Sequence, residues 1–321
     1  MSRILTGIQS SGTPHLGNIL GAILPAIELS KKNESFLFIA DLHALTTVKN
    51  KNTLKENTLA TAAAWLAFDL DTDKNTLYRQ SDIPQVTELM WYLNCITAYP
   101  MLANAHSFKD KANKLSDVNA GLFTYPVLMA ADIILYNANI VPVGKDQLQH
   151  LEITRDIATR FNFLFGDTFI IPTAKTDQKN MIVPGTDGQK MSKSYNNYIN
   201  IFESEKILKK QIMNIVTDSK SLDEPKDPDK CNVFQIYKLI GSQEEIKDLS
   251  EKYKNGGFGY GHAKNALLEI IMDKFKKPRS KFHELMSNQE IIETELLKGS
   301  KKAKAVADSV LKKVKDNLGL N

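Results

Sequence analysis

The sequence is poor in cysteine and contains no long apolar run. Its 321 residues include two cysteines, Cys95 and Cys231. Two are too few for a disulfide framework or a four-cysteine metal site within one chain, so we interpret both as buried structural thiols. The longest apolar stretch, residues 121–136, is interrupted by Pro126 and Asp132 and cannot span a bilayer. The first residues also lack an apolar signal segment, so we expect a cytoplasmic protein with no membrane contact.

A strong net charge of one sign is absent too. The formal net charge is +4, and 42% hydrophobic with 24% charged residues is typical of an ordinary globular protein. The charge is nevertheless uneven, because residues 251–321 carry 15 Lys and Arg against 9 Asp and Glu. A basic C-terminal section suits a polyanionic partner, although solubilising lysines on helix surfaces would give the same count.

The first third of the chain alternates strand-like and helical segments. The strand-like runs are residues 4–8, 36–39 and 76–79, and helices are predicted at about 15–30 and 53–68. Strands alternating with helices of this length indicate a parallel sheet with helices on both faces. The length of the chain allows one large α/β domain and a smaller second domain.

Further along, helical patterns take over. Residues 84–136 read as mostly helical, then a strand is predicted at 140–143 and a helix at about 147–163. Beyond residue 202 the pattern is helical with polar breaks. The last helix carries one apolar face, formed by Ala303, Val306, Val310, Leu311, Val314 and Leu318. We therefore predict an α/β fold, with a Rossmann-like parallel-sheet domain at 1–200, a helical insertion at about 84–136, and an all-helical domain at 201–321.

One candidate phosphate-binding segment lies between the first strand and the first helix. Residues 7–18 read G-I-Q-S-S-G-T-P-H-L-G-N. Small residues at a helix start let backbone N–H groups approach phosphates, and the helix N-terminus favours negative charge. Gly17 would leave room for an adenine or ribose, and His15 and Asn18 could donate to phosphate oxygens. The spacing G-x-G-x-x-G is absent, which argues against a nicotinamide-dependent enzyme.

A second candidate segment is Lys190-Met191-Ser192-Lys193-Ser194, preceded by a glycine-flanked turn at 185–188. Two lysines three residues apart on such a loop could both reach a triphosphate. Their charge would be most useful as pyrophosphate leaves, when negative charge develops on the departing oxygens. An isolated lysine pair would more often be a solvated surface feature.

Together the two segments resemble the "HIGH" and "KMSKS" signatures of class I aminoacyl-tRNA synthetases. His15-Leu16-Gly17-Asn18 stands for the first, ending in Asn, and residues 190–194 match the second in full. The flanking sequences resemble the tryptophanyl branch over nearly the whole chain. They are G-I-Q-S-S-G at 7–12, Y-P-V-L-M-A-A-D-I at 125–133 and V-P-V-G-K-D-Q at 141–147. The resemblance implies ATP-dependent activation of L-tryptophan and its transfer to tRNA(Trp).

The predicted amino-acid pocket combines an apolar wall with one carboxylate. Tyr125, Met129 and Asp132 share one helix face, where Met129 offers a flat wall and Asp132 could accept the indole N–H. Val141 and Val143 point the same way from a strand and could close the pocket. The resemblance adds Tyr125 and Gln147 for the α-amino group and Gln9 for the carboxylate, with His43 and Leu5 nearby. A pocket that must satisfy Asp132 would reject phenylalanine, so we expect no editing domain.

The resemblance also implies an ATP site and several partners. The catalytic set would be Lys190, Lys193, Lys111, Asn18 and Gln9. The ATP-binding set would be Gln9, Ser10, Ser11, His15, Gly17, Asn18, Gly144, Lys145, Asp146, Ile182, Val183, Lys190, Met191, Ser192, Lys193 and Ser194. Mg²⁺ would be carried by the ATP phosphates, without a protein metal site. The family further implies a homodimer, with tRNA read by the basic C-terminal portion.

Other readings are a tyrosyl-tRNA synthetase, which would share the architecture, and a non-catalytic paralogue that binds tryptophan or RNA. A small-metabolite adenylyltransferase would share only the first segment. The intact lysines at 190 and 193 argue against a non-catalytic paralogue, because a binding protein has no need of them. Pyrophosphate exchange stimulated by different amino acids would separate the tyrosyl from the tryptophanyl reading.

Overall fold

The computed structural model describes residues 2–105, 108–109, 118–144, 147–175 and 182–320. Five parallel strands form one sheet in the order β3-β2-β1-β4-β5. The strands are β1 (Arg3–Gln9), β2 (Glu34–Ala40), β3 (Thr76–Arg79), β4 (Ile140–Pro142) and β5 (Thr173–Lys175). The predicted Rossmann-like parallel sheet is therefore confirmed. The short strand β5 was not predicted, because its three residues, T-A-K, are all exposed and give no buried apolar signal.

Helices flank the strands in the order that the sequence predicted. In the first half of the chain they are α1 (Leu16–Asn18), α2 (Leu24–Ser30), α3 (Asp41–Ala44), α4 (Lys51–Ala67), α5 (Gln85–Asn94) and α6 (Tyr99–Ala103). They are followed by α7 (Ala120–Ile134) and α8 (Leu148–Phe165). A π-helical stretch, Ile19–Ile23, joins α1 to α2, so the helix predicted at 15–30 is continuous in path but not uniformly α-helical.

The C-terminal third of the chain is helical, as predicted. Its helices are α9 (Glu205–Met213), α10 (Asn232–Lys238), α11 (Gln243–Asn255), α12 (Tyr260–Lys274), α13 (Lys276–Ser287) and α14 (Gln289–Leu318). Helix α14 does not stay with its neighbours in sequence, because it returns to the sheet and packs along β3. An added Cβ at Gly299 would lie 1.7 Å from the Leu77 carbonyl oxygen, so the two backbones are in direct contact.

Strand β2 divides the core between the two faces of the sheet, because successive side chains of a strand point in opposite directions. Leu37 and Ile39 pack with α1, α4 and the helices that follow residue 205. Phe36 and Phe38 pack with α5, α7, α8 and the apolar face of α14. Both faces of the sheet are thus covered. The boundary predicted at residue 200 remains a prediction, and the last helix belongs in space to the core of the first part.

Two further observations bear on the sequence predictions. Cys231 is buried as expected, but Cys95 is exposed, because it follows the last turn of α5 at the surface. The interpretation of both cysteines as buried thiols was therefore wrong for Cys95. In the described part of the chain, no helix is long and apolar enough to cross a membrane.

Candidate active site

A cavity of about 440 Å³ opens where the strand order reverses, between β1 and β4. These two strands pair at Ile4 and Ile140, near their starts, and their carboxyl ends lie at the cavity. Ligands of open α/β sheets bind at such a position. All nine residues predicted for the amino-acid pocket line it: Leu5, Gln9, His43, Tyr125, Met129, Asp132, Val141, Val143 and Gln147. Their roles remain a prediction.

Asp132 is the buried carboxylate of the cavity, with 2% of its surface exposed. Its oxygens accept hydrogen bonds from Gln80 Nε2, at 2.9 Å to each oxygen, and from His43 Nε2, at 2.9 Å. Burial raises the pKa of Asp132 above its ordinary range, and the His43 hydrogen bond opposes that shift. The expectation that Asp132 needs a partner is met by two residues of the protein. A carboxylate has about four lone-pair positions, so one further donor can still be accepted.

Gln80 is a site residue that the sequence analysis missed. It follows β3 in a 3-10 turn, Gln80–Asp82, and is 1% exposed. Its Oε1 accepts a hydrogen bond from the Leu42 backbone N–H at 3.1 Å, which leaves its amide hydrogens for Asp132. The orientation of the Gln80 amide is thereby fixed. The contact joins residues 52 positions apart, and no local pattern indicated it.

At the opposite wall of the cavity, Tyr125 and Gln147 are joined through His150. The Tyr125 hydroxyl lies 2.7 Å from His150 Nε2, and His150 Nδ1 lies 3.0 Å from Gln147 Oε1. Gln9 Nε2 donates to the His43 carbonyl at 3.0 Å, which ties the end of β1 to α3. His150 was not among the predicted residues, and it does not line the cavity.

The start of the first helix is capped by the residues that were expected to contact phosphate. His15 Nδ1 accepts from the Asn18 backbone N–H at 3.2 Å, and Asn18 Oδ1 accepts from the His15 N–H at 3.1 Å. Burial, assisted by the nearby charge of Lys193, lowers the pKa of His15 to about 4. The neutral imidazole accepts at Nδ1 and therefore carries its proton on Nε2. One ring N–H of His15 and the amide hydrogens of Asn18 remain as donors.

The two signature segments touch each other. The Gly17 N–H lies 3.3 Å from Met191 Sδ, and Lys193 Nζ donates to the Gly12 carbonyl at 2.6 Å. An added Cβ at Gly17 would lie 2.9 Å from His15 Cε1 and 3.3 Å from Met191 Cβ. The space that a side chain at Gly17 would need is filled by His15 and Met191, and the adenine or ribose contact of Gly17 remains a prediction. Glycine is needed there to let the second segment approach the helix.

Asn197, also missed, holds the lysine segment in place. It is 2% exposed, its Oδ1 accepts from the Ser192 N–H at 2.7 Å, and its Nδ2 donates to Asp187 Oδ1 at 2.7 Å. Within this segment Met191 is buried, and the Ser192 hydroxyl accepts from the Ser194 N–H. Burial lowers the pKa of Lys193 to about 8.

The surroundings of several predicted ATP-binding residues are clear, and their contacts with ATP remain a prediction. Ser10 is fully buried with its hydroxyl 3.3 Å from that of Thr58, so its side chain is turned into the protein and its backbone is left for the predicted contact. Val183 is also buried, and its carbonyl accepts from the Met191 N–H at 2.9 Å. By contrast Ile182 is 67% exposed.

Other members of the predicted set are accessible or cannot be placed. Ser11 is exposed on the loop beyond β1, and Gly144 lines the cavity. Lys111, Lys145 and Asp146 lie outside the described residues. Among the residues that are described, no group of three or more His, Cys, Asp or Glu could hold a metal ion.

Comparison with known sequences gives consistent relatives over the full length. A sequence model of the family "tRNA synthetases class I (W and Y)" matches residues 1–276. A tryptophan–tRNA ligase of Rhodopirellula baltica is 49% identical over 318 residues, which cover 99% of this chain and 99% of the relative. A tryptophan–tRNA ligase of Fusobacterium nucleatum is 49% identical over 321 residues, which cover 100% of this chain and 98% of that one.

Solved structures agree with the sequence relatives. A tryptophanyl-tRNA synthetase of Campylobacter jejuni, complexed with ADP and tryptophan, superposes with a TM-score of 0.94 at 46% identity, covering 99% of this chain and 100% of that chain. A tyrosyl-tRNA synthetase of Archaeoglobus fulgidus superposes with a TM-score of 0.67 at 18% identity, covering 88% of this chain and 90% of that one. The second likeness concerns the fold alone.

Proposed function

The chain belongs to the class I tRNA synthetases of the tryptophan and tyrosine family, and we propose that it joins L-tryptophan to tRNA(Trp) with ATP. The observation that carries the proposal is the shared cavity, where an apolar wall and the buried Asp132 lie at the switch point of the sheet. Relatives about half identical over the whole chain carry the tryptophan–tRNA ligase name, which favours tryptophan over tyrosine.

The pocket has the chemistry that an indole ring requires. Met129, Val141 and Val143 supply apolar surface, and Asp132 supplies the one acceptor that an indole N–H needs. Gln80 and His43 hold the carboxylate in place without using all of its lone pairs. A side chain that lacks the N–H, such as that of phenylalanine, would leave the buried carboxylate without its third partner. Such sites discriminate strongly without editing.

The ATP site lies between the two signature segments. Lys190 and Lys193 would grip the β- and γ-phosphates, with Gln9 and Asn18 on the opposite side, and Gly144 would approach the ribose. The tryptophan carboxylate attacks the α-phosphorus and pyrophosphate leaves. A terminal ribose hydroxyl of tRNA then attacks the activated carbonyl and AMP leaves. Neither step needs a protein nucleophile, because positioning and charge stabilisation suffice. Mg²⁺ would enter on the ATP phosphates.

The helical C-terminal portion would bind the anticodon end of tRNA. Its positive charge is not all available, because part of it stabilises the chain itself. Lys277 and Lys281 pair with Asp69 at 3.0 and 2.8 Å, and Lys302 donates to the Asp73 carbonyl at 2.8 Å. Other lysines of this portion, among them Lys276, Lys301, Lys312 and Lys313, are exposed and could face phosphates.

We further propose a homodimer that works in the cytoplasm, where its tRNA substrate is used. Large apolar side chains are exposed on the sheet domain: Trp91 is 67%, Tyr99 71% and Phe163 87% exposed. Side chains of this kind are enriched at the centres of protein interfaces. Sedimentation of the purified chain would give one species of twice the chain mass if the proposal is right.

The test of the proposed function is amino-acid-dependent ATP–pyrophosphate exchange with each of the twenty amino acids, followed by aminoacylation of tRNA(Trp). We expect exchange with L-tryptophan alone. Stimulation by tyrosine and not tryptophan would contradict the proposal in favour of the tyrosyl reading. Tryptophan binding without any exchange would favour a non-catalytic paralogue.

A further inference from the structure

One aromatic side chain of the cavity wall was not among the predicted residues. Phe38 lies on β2 and lines the cavity together with Leu5 and Gly7 of β1. It pairs in register with Gly7 on one side and with Tyr78 of β3 on the other. Paired residues of neighbouring strands point to the same face of a sheet, so Gly7, Phe38 and Tyr78 form one row across the sheet.

The two ends of this row determine where the Phe38 ring lies. Tyr78 is 1% exposed, and its ring stacks on that of Phe38 with centroids 5.8 Å apart and planes at 27°. The space on the β3 side is therefore filled. On the β1 side, a Cβ added at Gly7 would lie 2.5 and 2.7 Å from the two Cε atoms of Phe38. The far end of the ring thus occupies the place of a side chain at position 7, which only glycine leaves free.

The row faces the cavity from the sheet, and helix α7 faces it from the other side. Gly7 is exposed where it lines the cavity, and Phe38, which is 5% exposed, lies beside it. Met129, Asp132 and Ile133 line the same cavity from α7. A substrate ring whose N–H reaches Asp132 is therefore bounded on the sheet side by Gly7 and Phe38. The extent of the Phe38 ring limits the space that is left.

We propose that Phe38, held over Gly7, is a specificity-determining residue that sets the largest aromatic ring the amino-acid cavity accepts. The inference rests on the proposed function and deepens it, because it names the side chain that excludes rings larger than indole. Asp132 recognises the indole N–H, whereas Phe38 acts through size alone. An apolar pocket can discriminate by about 10- to 200-fold for each methylene that does not fit.

The test compares tryptophan with four analogues, each carrying one methyl group on a different carbon of the benzo ring. Phe38→Leu removes the far end of the Phe38 ring and opens the space over Gly7. We expect kcat/KM for tryptophan in pyrophosphate exchange to fall about tenfold. The ratio of kcat/KM for at least one methylated tryptophan to that for tryptophan should rise about tenfold or more.

Phe36→Leu is the matched control. Phe36 lies two residues earlier on the same face of β2, is 1% exposed, and packs on Tyr136 with ring centroids 4.8 Å apart. It does not line the cavity. The same buried ring is lost in this variant, so the melting temperature should fall, but the ratio for every methylated tryptophan should stay as in the unaltered chain. The control thereby separates a structural role from a limit on size.

A double-mutant comparison tests whether Phe38 depends on Gly7. Gly7→Ala places a methyl group against the Phe38 ring, so it should lower kcat/KM for tryptophan about tenfold or more in the otherwise unaltered chain. In the Phe38→Leu background the loss should be smaller, because the far end of the ring is gone. Coupling of this kind is expected for residues in direct contact.

Three results would overturn the inference: unchanged ratios in Phe38→Leu, the same change of ratio in Phe36→Leu, or equal losses from Gly7→Ala in both backgrounds. If Phe38→Leu does not fold, Phe38→Met carries the same comparison, since methionine also lacks the ring and adapts to irregular core space. Failure of the proposed function is a separate outcome, because the unaltered chain would then show no tryptophan-dependent exchange.

Discussion

The pH dependence of ATP use is the sharpest consequence of the position of Lys193. Its ammonium group is partly buried beside the Gly12 carbonyl, and burial lowers its pKa to about 8. A lysine is charged below its pKa, so Lys193 loses its charge as the pH rises through 8 in the enzyme without ATP. If Lys193 binds the triphosphate, kcat/KM for ATP must fall as Lys193 loses its charge, because the pH dependence of kcat/KM reports the groups that titrate in the enzyme before ATP binds.

The size of the effect follows from the titration. With a pKa of about 8, roughly nine tenths of Lys193 is charged at pH 7 and roughly one tenth at pH 9. We therefore expect kcat/KM for ATP to fall about tenfold over these two pH units. Replacing Lys193 by Ala should lower the ratio about 10²-fold at pH 7, the scale of one preorganised charge contact, and should remove the decline.

The assay is ATP–pyrophosphate exchange between pH 7 and 9.5, with tryptophan saturating at every pH because its amino group also titrates. Lys193→Arg is the control, since arginine stays charged over the whole range. It should give a lower but flat profile. A flat profile for the unaltered enzyme, or the same decline in Lys193→Arg, would refute the role given to Lys193.

Three further predictions use other parts of the structure. Asp132→Ala should raise KM for tryptophan by about 10–100-fold and change KM for ATP less than about twofold in the pyrophosphate exchange assay. Equal increases in the two KM values would contradict the assignment of Asp132 to the tryptophan pocket. Gly299→Ala should lower the free energy of unfolding, measured with urea, by about 3 kcal/mol, because its Cβ would lie 1.7 Å from the Leu77 carbonyl oxygen. Gly261→Ala is the control, because a Cβ there meets no atom within 4 Å, and it should change the free energy of unfolding by less than about 1 kcal/mol. His15 has its pKa lowered to about 4, so the unfolded chain binds a proton that the folded chain does not. The free energy of unfolding of the unaltered chain should therefore fall by roughly 2 kcal/mol between pH 7 and 5. The fall should be smaller in His15→Gln, and an equal fall in the two proteins would contradict the burial of a neutral imidazole at position 15.

Much of the cavity could be predicted because its residues lie in short segments with a clear period. Tyr125, Met129 and Asp132 share a face of α7 by helical spacing, and Val141 and Val143 share a side by strand spacing. The nine residues predicted for the pocket do line one cavity. The resemblance to the family supplied Gln9, His43 and Gln147, which no periodicity would have selected.

The residues that were missed act through long-range contacts. Gln80 reaches Asp132 across 52 positions, and Asn197 looked like an ordinary loop residue, although it fixes the backbone around Lys190 and Ser192. The surroundings of Ser10 and Gly17 also depend on contacts with distant segments. The sequence indicates a loop of small residues there, but not which side of the loop the protein itself fills.

By itself the sequence determined the parallel α/β sheet and the helical C-terminal third, because local periodicity specifies them, and its resemblance to the family indicated the two signature segments. Only the tertiary structure decided that α14 returns to cover β3, that Gln80 and His43 hold Asp132, and that the helix start contacts Met191. The physical reason is that hydrogen-bond partners and close backbone contacts depend on which segments meet in space. The spacing of residues along the chain does not indicate which segments meet in space.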